Sequence, residues 1–230
     1  MFDVFGTTVD WWTGVRDQIA DLCERRVVPV DAGEMTSRWR EQFFVGLDRV
    51  RTGQHGWANL DAIHAEGLIQ VLDDLGLAGV FDDKDQRDLV RAWHRLPAWA
   101  EVAEGIERLR ARFTVCALSN GSFAQITNLI KNAGLHFDCV LGADISRHYK
   151  PDIEIYRSTI ELLDVAPSEL MMVAAHGWDL AGARAAGYQT AYVERPQESG
   201  PYKAGEDSAH VECDLLVRGF DELADTLGCP

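Results

Sequence analysis

From about residue 100 onward, short apolar runs alternate with amphipathic stretches. Four runs read as buried strands: Phe113 to Leu118 (FTVCAL), Cys139 to Leu141, Leu170 to Ala174 (LMMVA) and Thr190 to Val193. Each is short and bounded by helical patterns or turn residues, as parallel strands covered on both faces are. Between them, Ile106, Leu109 and Phe113 recur at helical spacing, and so do Ile126, Leu129 and Ile130. Gly134 and Gly187 fall where C-terminal helix caps are expected. The alternation predicts an α/β fold with a Rossmann-like parallel sheet and right-handed crossovers.

Residues 11–95 carry a different pattern. Long helical stretches run through them without a convincing strand, and they hold Trp11, Trp12, Trp39, Trp57 and Trp93. The expected organisation is a core of residues 1–10 and 96–230, with residues 11–95 inserted as a helical cap. Such a cap would fold over the carboxyl ends of the strands, where open α/β sheets bind ligands. Gln197 to Asp207 is rich in Gly, Pro and charge and reads as a surface loop. The first strand is short, because only Met1 and Phe2 precede Asp3. Strands ordinarily run to five or six residues, so the expectation is a very short strand, a truncation or a different start site.

Composition narrows the function classes. Of the 230 residues, 47% are hydrophobic and 26% charged, a globular mix. The net charge of −15 argues against a nucleic-acid partner, which needs a basic face. It leaves room for an anionic small molecule, since a few converging cations can reverse the field in one cleft. The five cysteines are scattered and form no C-x-x-C pair. That disfavours a disulfide framework or zinc ribbon and fits a cytoplasmic location. No run is long or apolar enough to span a bilayer, and no secretory signal pattern opens the chain.

Five segments could carry chemistry. FDVFGTTVDW places Asp3 at a strand end before a Gly-Thr turn, although a capping Asp in an ordinary turn reads the same way. LSNG (118–121) presents Ser119 and Asn120 where a helix begins, suiting an anion or a simple N-cap. YKPDIEIY places Lys150 before a Pro at a helix start, where a solvated lysine is the ordinary alternative. VAAHGWDLAGARAAG puts Asp179 in a first helical turn, where a carboxylate is also favoured by the helix dipole alone. Its His176 could equally be a loop histidine with a local bond. SRWREQFF flanks Arg40 with Trp39, Phe43 and Phe44, and an exposed helix arginine would look similar.

In this order, on this scaffold, the five resemble the haloacid dehalogenase superfamily, and within it the L-2-haloacid dehalogenases. The resemblance covers nearly the whole chain. It implies that Asp3 is the nucleophile, supported by Thr7, and that Arg40 and Asn120 receive the leaving halide. It further implies that Ser119 binds the substrate carboxylate and that Lys150 serves nucleophile and substrate. Tyr156 and Asp179 would support them, with Asp179 implicated in the hydrolytic half. Phe5, Phe44 and Trp178 would line an apolar pocket.

The same superfamily contains magnesium-dependent phosphatases, whose D-x-D-G-T pattern supplies a second Asp as general acid. That position is Phe5 here, and the further acid of their fourth motif corresponds to Ala175. Halide departure needs no proton, so no metal or other cofactor is expected. The expected reaction is hydrolysis of a short 2-halo-carboxylic acid to the 2-hydroxy acid through an ester on Asp3. The fourth motif departs from the family, with Ala174, Ala175 and His176 in place of Ser, Ser and Asn. His176, next to Asp179, is expected to position or deprotonate the ester-cleaving water as a neutral imidazole. A compact pocket would suit chloroacetate, or even fluoroacetate. The alternatives are a phosphatase, ring opening of an azetidine-2-carboxylate, or a non-catalytic member of the fold. Aromatic side chains of the insert would suit a homodimer contact.

Overall fold

The computed structural model describes residues 1–202 and 206–230. Residues 11–94 contain helices only: α1 (Trp11–Arg26), α2 (Ala32–Arg51), α3 (Leu60–Asp74), α4 (Asp83–Val90) and a 3₁₀ turn at Arg91–His94. Each α-helix starts where an Asp or Asn side chain satisfies its free N–H groups. Asp10, Asp31, Asn59 and Asp82 accept from backbone N–H groups two or three residues on. Capping of this kind stabilises a helix start by about 1 kcal/mol. The helices bury Trp11, Trp12, Trp39 and Trp93 among themselves and against the remainder of the chain.

The remainder alternates as expected: α5 (Val102–Arg110), β1 (Cys116–Ser119), α6 (Phe123–Ala133), β2 (Cys139–Gly142), α7 (Ala143–Ser146) and α8 (Ile153–Leu163). It continues with β3 (Met171–Ala174), α9 (Gly177–Ala185), β4 (Gln189–Val193), β5 (Leu215–Val217) and α10 (Phe220–Thr226). All strand pairs are parallel: β1 with β2, β3 with β4, and β4 with β5. Phe2 joins the two groups, bridging Ala117 on one side and Val173 on the other. The strand order is therefore β2, β1, the segment at Phe2, β3, β4, β5.

The short first strand is held from both sides. Phe2 N–H donates to Cys116 O at 2.8 Å, and Leu118 N–H donates to Phe2 O at 2.8 Å. On the other side, Asp3 N–H donates to Val173 O at 3.0 Å, and Val173 N–H to Met1 O at 2.8 Å. Four ladder bonds over three residues place Asp3 at the carboxyl end of the sheet's centre.

Some sequence expectations shift. Phe113 belongs neither to α5 nor to a strand; it lies exposed in a turn, and β1 starts only at Cys116. The chain leaves α5 at Ala111, and Val115 N–H is taken by the Asp138 carboxylate instead of a strand partner. β5 was not expected, because Leu215–Val217 is too short to stand out from its polar flanks. Both expected glycine caps are present: Gly134 is the C-cap of α6 in the left-handed conformation, and Gly187, at φ of +93°, follows the C-cap Ala186 of α9, with its N–H donating to Arg184 O and Tyr188 N–H to Ala183 O. Gln197 to Asp207 is not simply a surface loop, because Glu198 turns inward and is buried. The part of that segment at 203–205 lies outside the described residues.

Candidate active site

Asp3 sits where four backbone segments converge. Its own strand delivers it, the turn at residues 6–9 closes over it, and the ends of β1 and β3 flank it. Gly6 makes that turn with φ of +88°. A Cβ on Gly6 would also lie 2.2 Å from Glu198 Oε1, so glycine is required twice over. Thr7 donates its hydroxyl to Asp3 Oδ2 at 2.7 Å and accepts from Ala175 N–H at 2.8 Å. Thr8 donates to the Asp3 carbonyl at 2.6 Å.

Two cations grip the Asp3 carboxylate. Lys150 Nζ donates to Oδ1 at 2.9 Å, and His176 Nδ1 lies 3.1 Å from Oδ2. Burial alone would push the Asp3 carboxyl up, but Lys150 and His176 together hold it well below the usual carboxylate range. Asp3 is therefore ionised at neutral pH. Lys150 is fully buried and also donates to Asp179 Oδ2 at 2.5 Å. Burial opposes its charge, yet the carboxylates of Asp179 and Asp3 outweigh this and raise it. Asp179 Oδ1 accepts from the Tyr156 hydroxyl at 2.6 Å. Burial, with Asp3 nearby, pushes the Asp179 carboxyl up against the pull of Lys150.

His176 departs from expectation. Its ring makes no hydrogen bond to Asp179 among the described residues, although Asp179 N–H donates to the His176 carbonyl at 3.1 Å. Its Nε2 lies 2.9 Å from Glu198 Oε1, so the ring spans two carboxylates. Burial disfavours its charge, but Glu198 and Asp3 prevail and push it up to about 10. The resting imidazole is thus protonated at pH 7, not neutral as the sequence suggested, because the sequence concealed Glu198. Glu198 Oε1 also accepts from Trp11 Nε1 at 3.0 Å, which ties this carboxylate to the first turn of α1. Burial raises the Glu198 carboxyl, and His176, Arg40 and Trp11 more than reverse that.

Arg40, on α2, reaches toward the same place. Its guanidinium lies 4.8 Å over Trp11, 4.5 Å over Phe43 and 4.8 Å over Phe44. No carboxylate stands within ion-pair distance of it among the described residues. Burial draws it down to about 10, while Glu198 and Asp3 act against that.

The chain carries the same signature in sequence and in space. The haloacid dehalogenase-like hydrolase family model matches residues 1–187. The chain belongs to this family. It is 31% identical over 206 residues to (S)-2-haloacid dehalogenase 1 of Pseudomonas sp. (strain CBS-3), covering 86% of each chain. Its fold superposes on the defluorinating L-2-haloacid dehalogenase Rha0230 with a TM-score of 0.92 at 35% identity, over 98% of this chain and 93% of that one. It is also similar to an L-2-haloacid dehalogenase from Xanthobacter autotrophicus with chloropropionic acid covalently bound, with a TM-score of 0.81 and 26% identity. That match covers 98% of this chain and 96% of the other.

The other haloacid dehalogenase-like residues named from sequence are placed as follows. Ser119, fully buried at the end of β1, accepts from Gly121 N–H at 3.1 Å. Asn120 Oδ1 accepts from Lys150 N–H at 2.7 Å, so its amide positions the lysine's backbone. Phe5 is buried and meets Trp93 edge-on, their centroids 6.2 Å apart. Phe44 and Trp178 stay 45% and 37% exposed, so neither is enclosed as Phe5 is. Trp178 stacks on His176 at 5.3 Å. Sequence reasoning missed Glu198, Trp11 and Trp93. The positive φ of Gly6 could not be read from a Gly-Thr pair, and Glu198 sits in a segment whose composition suggests solvent.

Magnesium, which phosphatases of this family use, does not fit these donors. Oδ1 of Asp3 is occupied by an ammonium group, and Oδ2 by a hydroxyl and an imidazolium. Both oxygens of Asp179 are likewise engaged. The neighbouring Phe5 and Ala175 offer no oxygen side chain, whereas Mg²⁺ demands near-octahedral oxygen coordination.

Proposed function

We propose that this protein hydrolyses the carbon–halogen bond of short 2-halo-carboxylic acids, giving the 2-hydroxy acid and halide through an ester on Asp3. One observation carries the reading. Asp3 is held as an anion by Lys150 and His176, while Arg40, caged by aromatic rings and without an ion-pair partner among the described residues, lies near enough to feel the charges of Asp3 and Glu198. A nucleophilic carboxylate opposite a vacant cation suits an in-line displacement with an anionic leaving group. The family relationship and the covalent chloropropionic acid adduct of the Xanthobacter protein support it.

In the first step an Asp3 oxygen attacks the carbon that bears halogen. The C–O bond forms, the carbon–halogen bond breaks, and its electron pair departs with the halide toward Arg40 and Asn120. In-line attack inverts the carbon, and an (S)-configured substrate is favoured by the similarity to (S)-2-haloacid dehalogenases. Ser119 and Lys150 receive the substrate carboxylate, and Phe5, Phe44 and Trp178 border its apolar part. Residues 11–95 act as a cap, bringing Arg40 and Trp11 over a core of residues 1–10 and 96–230 and excluding bulk water.

Esterification then neutralises Asp3, and His176 loses one of the two carboxylates that hold its proton. Its proton affinity falls, and it gives its proton up to solvent. The neutral ring beside Glu198 then takes a proton from the water that attacks the ester carbonyl. As the acyl C–O bond breaks it passes that proton to the departing 2-hydroxy acid oxygen, while the protonated Asp3 left behind returns its own proton to His176. His176 thus holds the Asp3 carboxylate in the first half and serves as the base only in the second. Asp179 and Tyr156 hold Lys150 in register throughout. The five free cysteines fit a reducing cytoplasm, and no helix among the described residues is long and apolar enough to cross a membrane.

Single turnover of 2-chloropropionate in ¹⁸O-water, with enzyme in excess, tests the reading. Label should enter the Asp3 carboxylate, because water attacks the protein side of the ester. Label confined to the product refutes the ester. Magnesium-dependent release of phosphate from phosphate monoesters, without halide release from haloacids, would place the protein among the phosphatases.

A further inference from the structure

Behind Arg40 lies a histidine that the mechanism above does not use. His64, on α3, is 1% exposed, and neither ring nitrogen has a hydrogen-bond partner among the described residues. Buried polar groups are overwhelmingly paired, so an orphaned imidazole needs a reason. The adjacent histidine shows the ordinary pattern: His94 pairs Nε2 with Asp61 at 2.8 Å and Nδ1 with Asn128 at 3.1 Å. Nor is His64 loosely held. Its carbonyl accepts from Trp39 Nε1 at 2.9 Å, and its ring is sandwiched between Phe43 at 5.1 Å and Trp93 at 4.1 Å.

The rings that sandwich His64 also carry Arg40. The guanidinium lies 4.5 Å from the Phe43 centroid and 5.9 Å from that of Trp93. Imidazole and guanidinium therefore share one aromatic cage, and Trp93 continues it to Phe5, two residues from the nucleophile. Burial, Arg40 and His94 all disfavour a charge on His64. It is a neutral ring with one N–H to give and no acceptor for it among the described residues.

We propose that His64 donates this N–H to the halogen as it leaves, adding a further donor to the halide site of Arg40 and Asn120 and extending the substrate range to fluorinated acids. The proposal rests on the dehalogenase reading. Fluoride is the smallest halide, the strongest hydrogen-bond acceptor and the poorest leaving group, so a directed donor serves it most. Bromide and chloride are larger and more diffuse, and the cation in its aromatic cage serves them with less need of a further donor. The balance is simple: the C–F electron pair leaves with fluoride, Asp3 supplies the new C–O bond, and His64 keeps its proton.

His64→Phe preserves the ring stack and removes the donor, while His64→Gln restores an N–H without the ring. Halide release from fluoroacetate, chloroacetate and bromoacetate is compared for both variants and the wild type. For His64→Phe, kcat/KM on fluoroacetate should fall about 10²–10³-fold, the loss typical of one transition-state donor, and on bromoacetate less than about tenfold. His64→Gln should recover much of the fluoroacetate rate. An equal loss on all three acids would mean a packing role only and would overturn the proposal. So would a wild type that cleaves chloroacetate but not fluoroacetate. Titration of wild type carrying ¹⁵N-labelled histidine with sodium fluoride gives a readout independent of turnover and of variant folding. A saturable shift of the His64 N–H resonance is expected, and its absence refutes the site. If no haloacid is turned over at all, the dehalogenase reading fails, yet the titration still decides whether His64 meets a halide.

Discussion

Glu198→Gln separates the two chemical steps. In the resting enzyme Glu198 Oε1 accepts from His176 at 2.9 Å and from Trp11 at 3.0 Å. Glutamine keeps the size and an oxygen for Trp11 but removes the charge. Glu198 and Asp3 together overcome burial to lift the imidazole from 6.5 to about 10. Once Asp3 is esterified, Glu198 alone stabilises the imidazolium that forms as water is deprotonated. Without it, that cation would arise unpaired in a buried site, and the general-base contribution of about 10²–10⁴-fold would be largely lost. The first step keeps Lys150 and Arg40, so halide release should be little changed. The expected result is a burst of halide equal to the enzyme concentration, followed by turnover slowed about 10²-fold or more. KM should fall with kcat, leaving kcat/KM nearly constant. Quenched-flow halide detection gives the burst, and mass spectrometry of the quenched protein shows the ester accumulating. If kcat and kcat/KM drop together and no ester accumulates, Glu198 acts before the ester forms and the division of labour is wrong.

Tyr156→Phe removes a 2.6 Å bond to the buried Asp179 carboxylate and should cost about 1.5–3 kcal/mol in urea denaturation, the usual worth of a bond to a charged group. An unchanged midpoint would show that Asp179 is held by Lys150 alone. Gly6→Ala forces φ of +88° on an L-residue and drives its Cβ into Glu198. It should destabilise the fold by at least ~1–2 kcal/mol and reproduce the burst seen with Glu198→Gln. Stability should also vary with pH. His176 binds its proton more tightly folded than unfolded, so its contribution is complete below 6.5 and is lost as pH rises toward about 10. Thermal melts of wild type should fall across that window and fall less for His176→Gln; parallel profiles would contradict the assignment. On the acid side Asp3 is depressed, so its contribution persists above the ordinary carboxylate range and vanishes only as pH drops well below it.

The fold was legible wherever burial leaves a periodic trace. The runs at β1, β3 and β4 stand out because each is covered on both faces; of the five signal segments, two fall at the ends of β1 and β3, one on the short segment at Phe2 between them, one on α2 and one at the start of α8. Leu215–Val217 left no trace, because an edge strand of three residues needs no long apolar run. The site was legible only as far as local residue types announce chemistry. Asp3, Lys150 and Asp179 do so, and the structure brings them within hydrogen-bond reach of one another through Lys150. Glu198 does not, since nothing in a loop of Gly, Pro and charge says that one glutamate turns inward. Misreading that loop is also why His176 looked neutral: a histidine's charge is set by partners distant in sequence.

In the mechanism proposed above, the arrangement of charges lets a nucleophile so firmly held still react. In ionised form, Asp3, Asp179 and Glu198 face Lys150, His176 and Arg40, so carboxylates and cations balance. A haloacid anion adds one negative charge. Attack by Asp3 moves that excess onto the halide, and the halide's departure removes it, leaving a neutral ester and one substrate carboxylate in place of the Asp3 charge. Lys150 loses one anionic partner in that exchange and gains the substrate's. The depressed proton affinity of Asp3 lowers its intrinsic nucleophilicity, but the cations responsible serve again on the product side of the step, so their field is not dismantled as the reaction proceeds. A preorganised site of this kind pays little reorganisation. Arg40 is the exception that sets direction. Of these three cations it alone lacks a carboxylate ion-pair partner among the described residues, and it alone is free to follow the charge onto the leaving group.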